Sequence, residues 1–187
     1  MKFKSYTINN IIFICLLGII WGFIYTSSDL LYNLLTLALT PVGFGPLAND
    51  IVLGLWCMAG PLTGFLIRKP GSSFLGEFLS SLMETFFMAQ WGMANIISGF
   101  VQATGSEAGF FLTGYRYYNF FTLTLTATTT TIFSFAYDYF KNGYNLFPFS
   151  RLIIYFIVRW FSLFLFSAVL VSQILKLVQK ADIIHDY

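Results

Sequence analysis

An acidic residue, Glu84, lies within the apolar stretch SLMETFFMAQWGMAN, which is otherwise suited to a lipid environment. Glu77 and Trp91 lie seven residues before and after it, so on a helix the three side chains fall close to one face. A charged side chain at the centre of a bilayer costs about 2.5 to 3.5 kcal/mol on insertion scales. We therefore expect this face to point into the protein, where a ligand or a polar group can compensate the charge.

A second polar face follows on the next apolar segment, where side chains recur at spacings of three and four residues: Asn95, Ser98, Gln102 and Ser106. Glu107 lies one position further round. Polar faces on consecutive helices suggest a shared cavity. For the serines, hydrogen bonds that hold the bundle together are the favoured interpretation, whereas for Glu84 and Glu107 we favour a ligand or ion site.

Carboxylates close to aromatic rings indicate the chemistry of such a cavity. A carboxylate neutralises a cation, and an aromatic face attracts it through the ring quadrupole. Trp91 continues the acidic face, so a flat organic cation would fit. Tyr115, Tyr117 and Tyr118 cluster at an expected span end instead, where interfacial aromatic residues are common.

The composition requires that these residues lie in a membrane. The 187 residues are 57% hydrophobic and only 10% charged, too few charges for the polar surface of a soluble domain. A net charge of +2 does not indicate nucleic acid as a partner. The apolar N-terminus resembles a signal peptide but lacks a small-x-small cleavage site, so we expect a retained first helix. We predict one membrane domain, residues 1–187, in contact with the lipid bilayer.

A span needs about 20 apolar residues, and six segments qualify. They are residues 10–26, 45–67, 73–90, 92–114, 119–140 and 152–177. Residues 30–39 are too short to cross comfortably; they either extend the first helix or lie in the membrane interface, and the sequence leaves both open.

Basic residues orient these spans. If the spans alternate, one side of the membrane receives seven of them: Lys2, Lys4, Arg68, Lys69, Arg116, Lys176 and Lys180. Lys141 and Arg151 fall on the other side, so both termini are predicted to be cytoplasmic. Arg159 lies inside the sixth span, either snorkelling to the interface or paired with an intramembrane acid.

Catalytic, metal and cofactor sites find little support. Cys15 and Cys57 lie in apolar runs without metal-ligand spacing, and the single histidine, His185, is in the polar C-terminal tail. The sequence also has no G-x-x-x-x-G-K-[ST] phosphate loop. We expect a protein that is not an enzyme and takes its energy from partners or from an ion gradient.

Gly18 and Gly22 form a G-x-x-x-G motif on the first helix. Such a motif allows another helix to approach closely, either from the same chain or from a partner.

Several short motifs occur together in the middle of the chain, within residues 60–116. They are Arg68-Lys69-Pro70-Gly71, Glu77, Glu84, Gln90-Trp91-Gly92, Ser98-Gly99-Phe100-Val101-Gln102, Gly105-Ser106-Glu107 and Tyr115-Arg116. In this order they resemble the YkoE family, the substrate-binding (S) components of energy-coupling factor (ECF) transporters associated with thiamine and its hydroxymethylpyrimidine precursor.

The resemblance implies an all-α integral membrane protein, a six-transmembrane-helix bundle of the ECF S-component type. Its partners would be a transmembrane coupling subunit and two ATPase subunits. On this basis we expect Glu84, Trp91, Gln90, Gln102 and Glu107 to bind the ligand. We place the partner-helix interface at Gly18 and Gly22. A self-sufficient proton- or cation-coupled transporter is the alternative, although the sequence shows no convincing internal repeat.

Overall fold

The computed structural model describes residues 5–87 and 90–180, which form helices and turns without a β-strand. The α-helices are α1 (Ile8–Leu39), α2 (Leu47–Val52), α3 (Ala59–Ile67), α4 (Ser72–Phe87), α5 (Met93–Leu112), α6 (Phe120–Lys141), α7 (Phe149–Leu163) and α8 (Val171–Lys180). Short 3-10 helices occupy Thr40–Val42, Leu55–Cys57 and Tyr144–Leu146, and a π-helical segment, Phe164–Leu170, joins α7 to α8. Lys2, Lys4 and His185 lie outside the described residues.

The first helix is longer than the predicted span. It runs for 32 residues from Ile8 and includes residues 30–39, so this segment extends the helix. Thr7 begins it with a capping box, in which its hydroxyl accepts from the Asn10 backbone N–H while the Asn10 side chain accepts from the Thr7 N–H. In the part of the chain that the structure describes, two helical segments, Ile8–Val42 and Phe149–Lys180, are long and apolar enough to cross a membrane.

The second predicted span, residues 45–67, is divided into α2, a 3-10 turn and α3. At the break, Gly54 lies directly against the backbone carbonyl of Ser162, where a larger residue has no room. The Gly54 N–H donates to the Ser162 hydroxyl at 3.1 Å, and the Ser167 hydroxyl donates to the Cys57 carbonyl at 2.8 Å. Backbone groups freed by the break are thus satisfied inside the bundle, as a low-dielectric environment requires.

The centre of the bundle is α4, which packs against α1, α3 and α5, while α5 in turn packs against α6. Small residues allow these close contacts. A Cβ atom added to Gly109 would lie only 2.5 Å from the Cα of Thr126, so α5 and α6 touch backbone to backbone. This is the packing that membrane helices use in place of a hydrophobic driving force.

The polarity of the bundle is inverted relative to a soluble protein. Large apolar side chains such as Leu34, Phe86 and Ile157 are exposed on its surface, and charged side chains are buried within it. Among residues 5–87 and 90–180, the charged residues with less than a tenth of their surface exposed are Asp29, Asp50, Glu77, Glu84, Asp138 and Arg159. An apolar exterior is suited to lipid, and the buried charges need partners inside the bundle.

Candidate ligand-binding cavity

A cavity of about 450 Å³ opens at the end of the bundle where α1 and α6 finish and α5 begins. Its walls come from these three helices, from α2 and from α4. The volume lies within the range of small-molecule sites, roughly 300 to 1,000 Å³. A vitamin-sized solute can therefore be accommodated.

Glu84 contributes the acidic group of one wall. It lies near the end of α4, is 3% exposed and lines the cavity. Asn95, at the start of α5, donates from Nδ2 to Glu84 Oε2 at 2.9 Å and to the Ser81 carbonyl at 3.1 Å. Asn95 thus holds the carboxylate in position at the cavity surface.

Three aromatic side chains, Tyr32, Trp56 and Trp91, form a cluster that lines the same cavity. The centroid of the Trp91 ring is 4.8 Å from that of Tyr32 and 6.0 Å from that of Trp56, with edge-to-face geometry in both pairs. Trp91 Nε1 donates to Asp29 Oδ1 at 3.1 Å, which orients the indole. Rings fixed in this way can hold a flat ligand without losing rotamer freedom when it binds.

A second acid, Asp138 of α6, lines the cavity on another wall. Its Oδ1 accepts from Asn142 Nδ2 at 2.5 Å, and its Oδ2 accepts from Asn49 Nδ2 at 3.2 Å and from Arg159 Nη2. Arg159 also donates through Nε to Asp50 at 2.6 Å. Of the two interpretations of Arg159, the ion pair is correct, and its partners are Asp50 and Asp138 rather than Glu84.

The structure brings together only part of the predicted ligand set. Glu84, Trp91 and Gln102 line the cavity. Gln90 is exposed, does not line the cavity and exchanges hydrogen bonds with Asn33.

Glu107 lies away from the cavity. Its carboxylate accepts from the backbone N–H groups of Gly71 and Phe74, at 2.6 and 3.0 Å, and from the Tyr115 hydroxyl at 2.7 Å. It therefore satisfies the first turn of α4, where a negative charge is favoured. Twelve helical residues, about 18 Å, separate it from Asn95 along α5, which is why a shared polar face did not bring it into the site.

Glu77 is also structural. Its two oxygens accept from the Gly60 N–H at 2.7 Å and from the Tyr25 hydroxyl at 3.0 Å, and the same hydroxyl accepts from the Ala59 N–H. The residue is fully buried and holds the start of α3 against α1 and α4.

The expected partner interface at Gly18 and Gly22 is corrected by the structure. Both glycines face α4 of the same chain: a Cβ atom on Gly22 would lie 3.0 Å from the Glu84 backbone nitrogen, and one on Gly18 would lie 3.1 Å from the Leu79 Cβ. The motif permits close packing of α1 on α4 and leaves no room for a helix of a partner.

Several residues that line the cavity were not predicted from the sequence, among them Tyr32, Trp56, Asn49 and Asp138. The cost of a charge within an apolar span, the criterion that singled out Glu84, applies equally to Asp138 in residues 119–140 and to Asp50 in residues 45–67. The aromatic residues carried no such signal, because aromatic side chains are abundant throughout the chain.

An apolar helical bundle with a polar interior and a solute-sized cavity has the architecture expected of a component of a membrane transporter. Residues 9–133 match the family described as ABC-type cobalt transport system, permease component, and the chain belongs to this family. The fold matches a crystal structure of an S-component of an ECF transporter with a TM-score of 0.87 and 26% identity, over 95% of this chain and 88% of that chain.

A Bacillus subtilis (strain 168) relative carries the name HMP/thiamine permease protein YkoE. It is 29% identical over 159 residues, which cover 85% of this chain and 77% of the relative. These findings confirm the S-component fold and the resemblance recognised in the sequence. The relatives are transporter components and not enzymes.

Proposed function

We propose that this protein is the subunit of an ECF transporter that captures thiamine or its hydroxymethylpyrimidine precursor for ATP-driven uptake. The observation that carries this proposal is a single cavity lined both by a buried carboxylate, Glu84, and by the clustered rings of Tyr32, Trp56 and Trp91. The ligand named for the Bacillus subtilis relative has the matching chemistry.

Thiamine combines a positively charged thiazolium ring with an aminopyrimidine that donates hydrogen bonds. The aromatic cluster offers faces and edges to flat rings, and Glu84 offers an acceptor that has already lost most of its water. A desolvated carboxylate gains more from an incoming donor than an exposed one does, because the local dielectric is low. Gln102, which donates to the Ser98 hydroxyl at 3.1 Å, adds an amide to the same cavity.

The family description names cobalt, which is the second candidate substrate. A metal ion gains little from aromatic rings and needs several converging oxygen, nitrogen or sulfur ligands. In residues 5–87 and 90–180 no group of three His, Cys, Asp or Glu side chains is arranged to hold a metal ion. The aromatic lining therefore favours an organic ring.

We also propose that the chain lies in the cell membrane with six crossings and both termini in the cytoplasm. Residues near the N-terminus contact the basic loop before α4: the Tyr6 hydroxyl donates to the Pro70 carbonyl, and Lys69 Nζ donates to the Ser5 carbonyl, both at 2.8 Å. The cavity lies at the opposite end of the bundle from this loop, and would thus open to the outside.

The energy for uptake comes, in this proposal, from a transmembrane coupling subunit and two ATPase subunits. The chain has no phosphate loop of its own, and the solved structure that it matches is a component of an ECF transporter.

Calorimetry on the purified protein tests which ligand the cavity binds. Titration with thiamine or with hydroxymethylpyrimidine is expected to give saturable binding, and titration with cobalt chloride is expected to give none at the cavity. Binding of cobalt that competes with thiamine would favour the second candidate. No binding of either organic compound by a protein shown to be folded would contradict the proposed ligand.

A further inference from the structure

The second acidic wall of the cavity belongs to a buried cluster of three charges. Arg159 of α7 is fully buried and forms ion pairs with Asp50 of α2 and Asp138 of α6. The Tyr144 hydroxyl donates to Asp50 Oδ2 at 3.1 Å. The cluster thus ties α2 to α6 and α7, which follow each other much later in the sequence.

The charges of this cluster do not balance. With both carboxylates ionised, two negative charges face one guanidinium, and the amide and hydroxyl donors around them carry no net charge. An uncompensated charge is costly inside a membrane protein. A positively charged ligand would remove this imbalance.

Only one member of the cluster faces the cavity. Asp138 lines it, whereas Asp50 and Arg159 do not. The charged residues of the lining are Glu84 and Asp138, with no lysine or arginine among the described residues that form it. The excess negative charge is therefore directed at whatever occupies the cavity.

The hydrogen bonds of Asp138 leave an acceptor position for a ligand. A carboxylate oxygen can accept two bonds. Oδ2 already accepts two, from Asn49 and Arg159, whereas Oδ1 accepts one, from Asn142. Both oxygens of the carboxylate are thus held, and Oδ1 keeps room for one further hydrogen bond.

We propose that Asp138 is a second anionic ligand contact, and that it makes the cavity select a positively charged ligand over a neutral one of the same shape. Arg159 is the positioning residue that holds the Asp138 carboxylate, and Asp50 balances the charge of Arg159. This inference rests on the proposed function and extends it, since it assigns selectivity for charge to a residue on a different wall from Glu84.

A matched pair of variants tests this role. Asp138→Asn and Asp50→Asn each leave one carboxylate paired with Arg159 and each remove one negative charge. They differ in whether the remaining carboxylate faces the cavity. The affinities to measure by calorimetry are those for thiamine and for its neutral analogue, in which a thiophene ring replaces the thiazolium.

The wild-type protein is expected to prefer thiamine over the neutral analogue. In Asp138→Asn this preference should fall at least about tenfold, the effect of losing a bond to a charged group, and in Asp50→Asn it should fall less. An unchanged preference in Asp138→Asn, or an equal fall in both variants, would overturn the inference and leave the proposed function standing.

The wild-type protein also gives a test that does not depend on the folding of a variant. Equal affinity for thiamine and its neutral analogue would overturn the selectivity for charge while supporting a thiamine site. Binding of neither compound would overturn this inference, and absence of hydroxymethylpyrimidine binding as well would overturn the proposed function.

Discussion

Glu84 illustrates how a carboxylate is retained within an apolar helix. Its neighbours on the same face, Glu77 and Ser81, are used for structure: Glu77 bonds the start of α3, and the Ser81 hydroxyl bonds the Glu77 carbonyl. Glu84 instead lies at a cavity surface, where Asn95 holds one of its oxygens. We infer that the acids of this face have different roles because only the last part of α4 reaches the cavity.

Replacing Glu84 by Gln should weaken thiamine binding by about 1.5 to 3 kcal/mol, the usual contribution of a hydrogen bond to a charged group. Folding should be retained, because the amide oxygen of Gln can still accept from Asn95. Calorimetry measures the affinity, and thermal unfolding in detergent measures stability.

Glu107→Gln is the matched control for that prediction. It removes the same charge from α5, at a position that bonds the first turn of α4 and does not line the cavity. We expect lower thermal stability with little change in affinity. Full affinity in a stable Glu84→Gln protein would contradict the ligand-binding role of Glu84.

At the scale of helices, close packing of α1 on α4 determines where the cavity walls stand. Gly22 lies against the backbone of Ser80 and Glu84, so the position of α1 affects the acid of the site directly. The broken second span has a similar role, since Trp56 and Asn49 lie on its short helices and line the cavity. A continuous helix would present a different set of side chains.

Enlarging Gly22 should separate α1 from α4. A Cβ atom there would lie 2.4 Å from the Met83 Cβ and 3.0 Å from the Ser80 carbonyl oxygen and the Glu84 nitrogen, whereas at Gly18 the closest atom is the Leu79 Cβ at 3.1 Å. We therefore expect Gly22→Ala to destabilise the protein by about 1 to 3 kcal/mol, the usual cost of overpacking, and Gly18→Ala to cost less. Thermal unfolding of the two variants and of the wild-type protein measures these differences. A Gly22→Ala protein no less stable than the Gly18→Ala protein would contradict the packing explanation.

At the scale of the whole molecule, the fold is that of an ECF S-component. Buried charges, a broken helix and a solute-sized cavity are features that self-sufficient transporters also use. An ECF S-component and a self-sufficient transporter therefore differ in the energy source that drives release of the solute to the cytoplasm.

Proteoliposomes containing the purified chain alone should accumulate no thiamine, with or without a proton gradient. Addition of the coupling subunit and both ATPase subunits should produce uptake that depends on ATP, since the chain has no phosphate loop. Liposomes with an ATPase-inactive complex are the control. Uptake driven by a proton gradient through the chain alone would favour the self-sufficient transporter.

Composition and motif order were sufficient to predict an all-helical membrane protein with the S-component fold, and the structural match confirms this class. The reason is that the backbone hydrogen bonds of a helix form within that helix, and its apolar side chains contact lipid. Both requirements can therefore be recognised in a single segment of the sequence. The acid at Glu84 could be singled out for the same reason, because a charge within an apolar segment is recognisable without knowing its neighbours.

Tertiary structure alone decided which polar residues share a cavity. Glu84 and Glu107 gave the same signal, yet antiparallel packing of α4 and α5 directs one to the cavity and the other to the opposite end of the bundle. Asp50, Asp138 and Arg159 meet although 109 residues separate the first from the last. Such contacts depend on how close the helices approach and how each is rotated, and these are set by packing of many residues from different segments rather than by the pattern within any one of them.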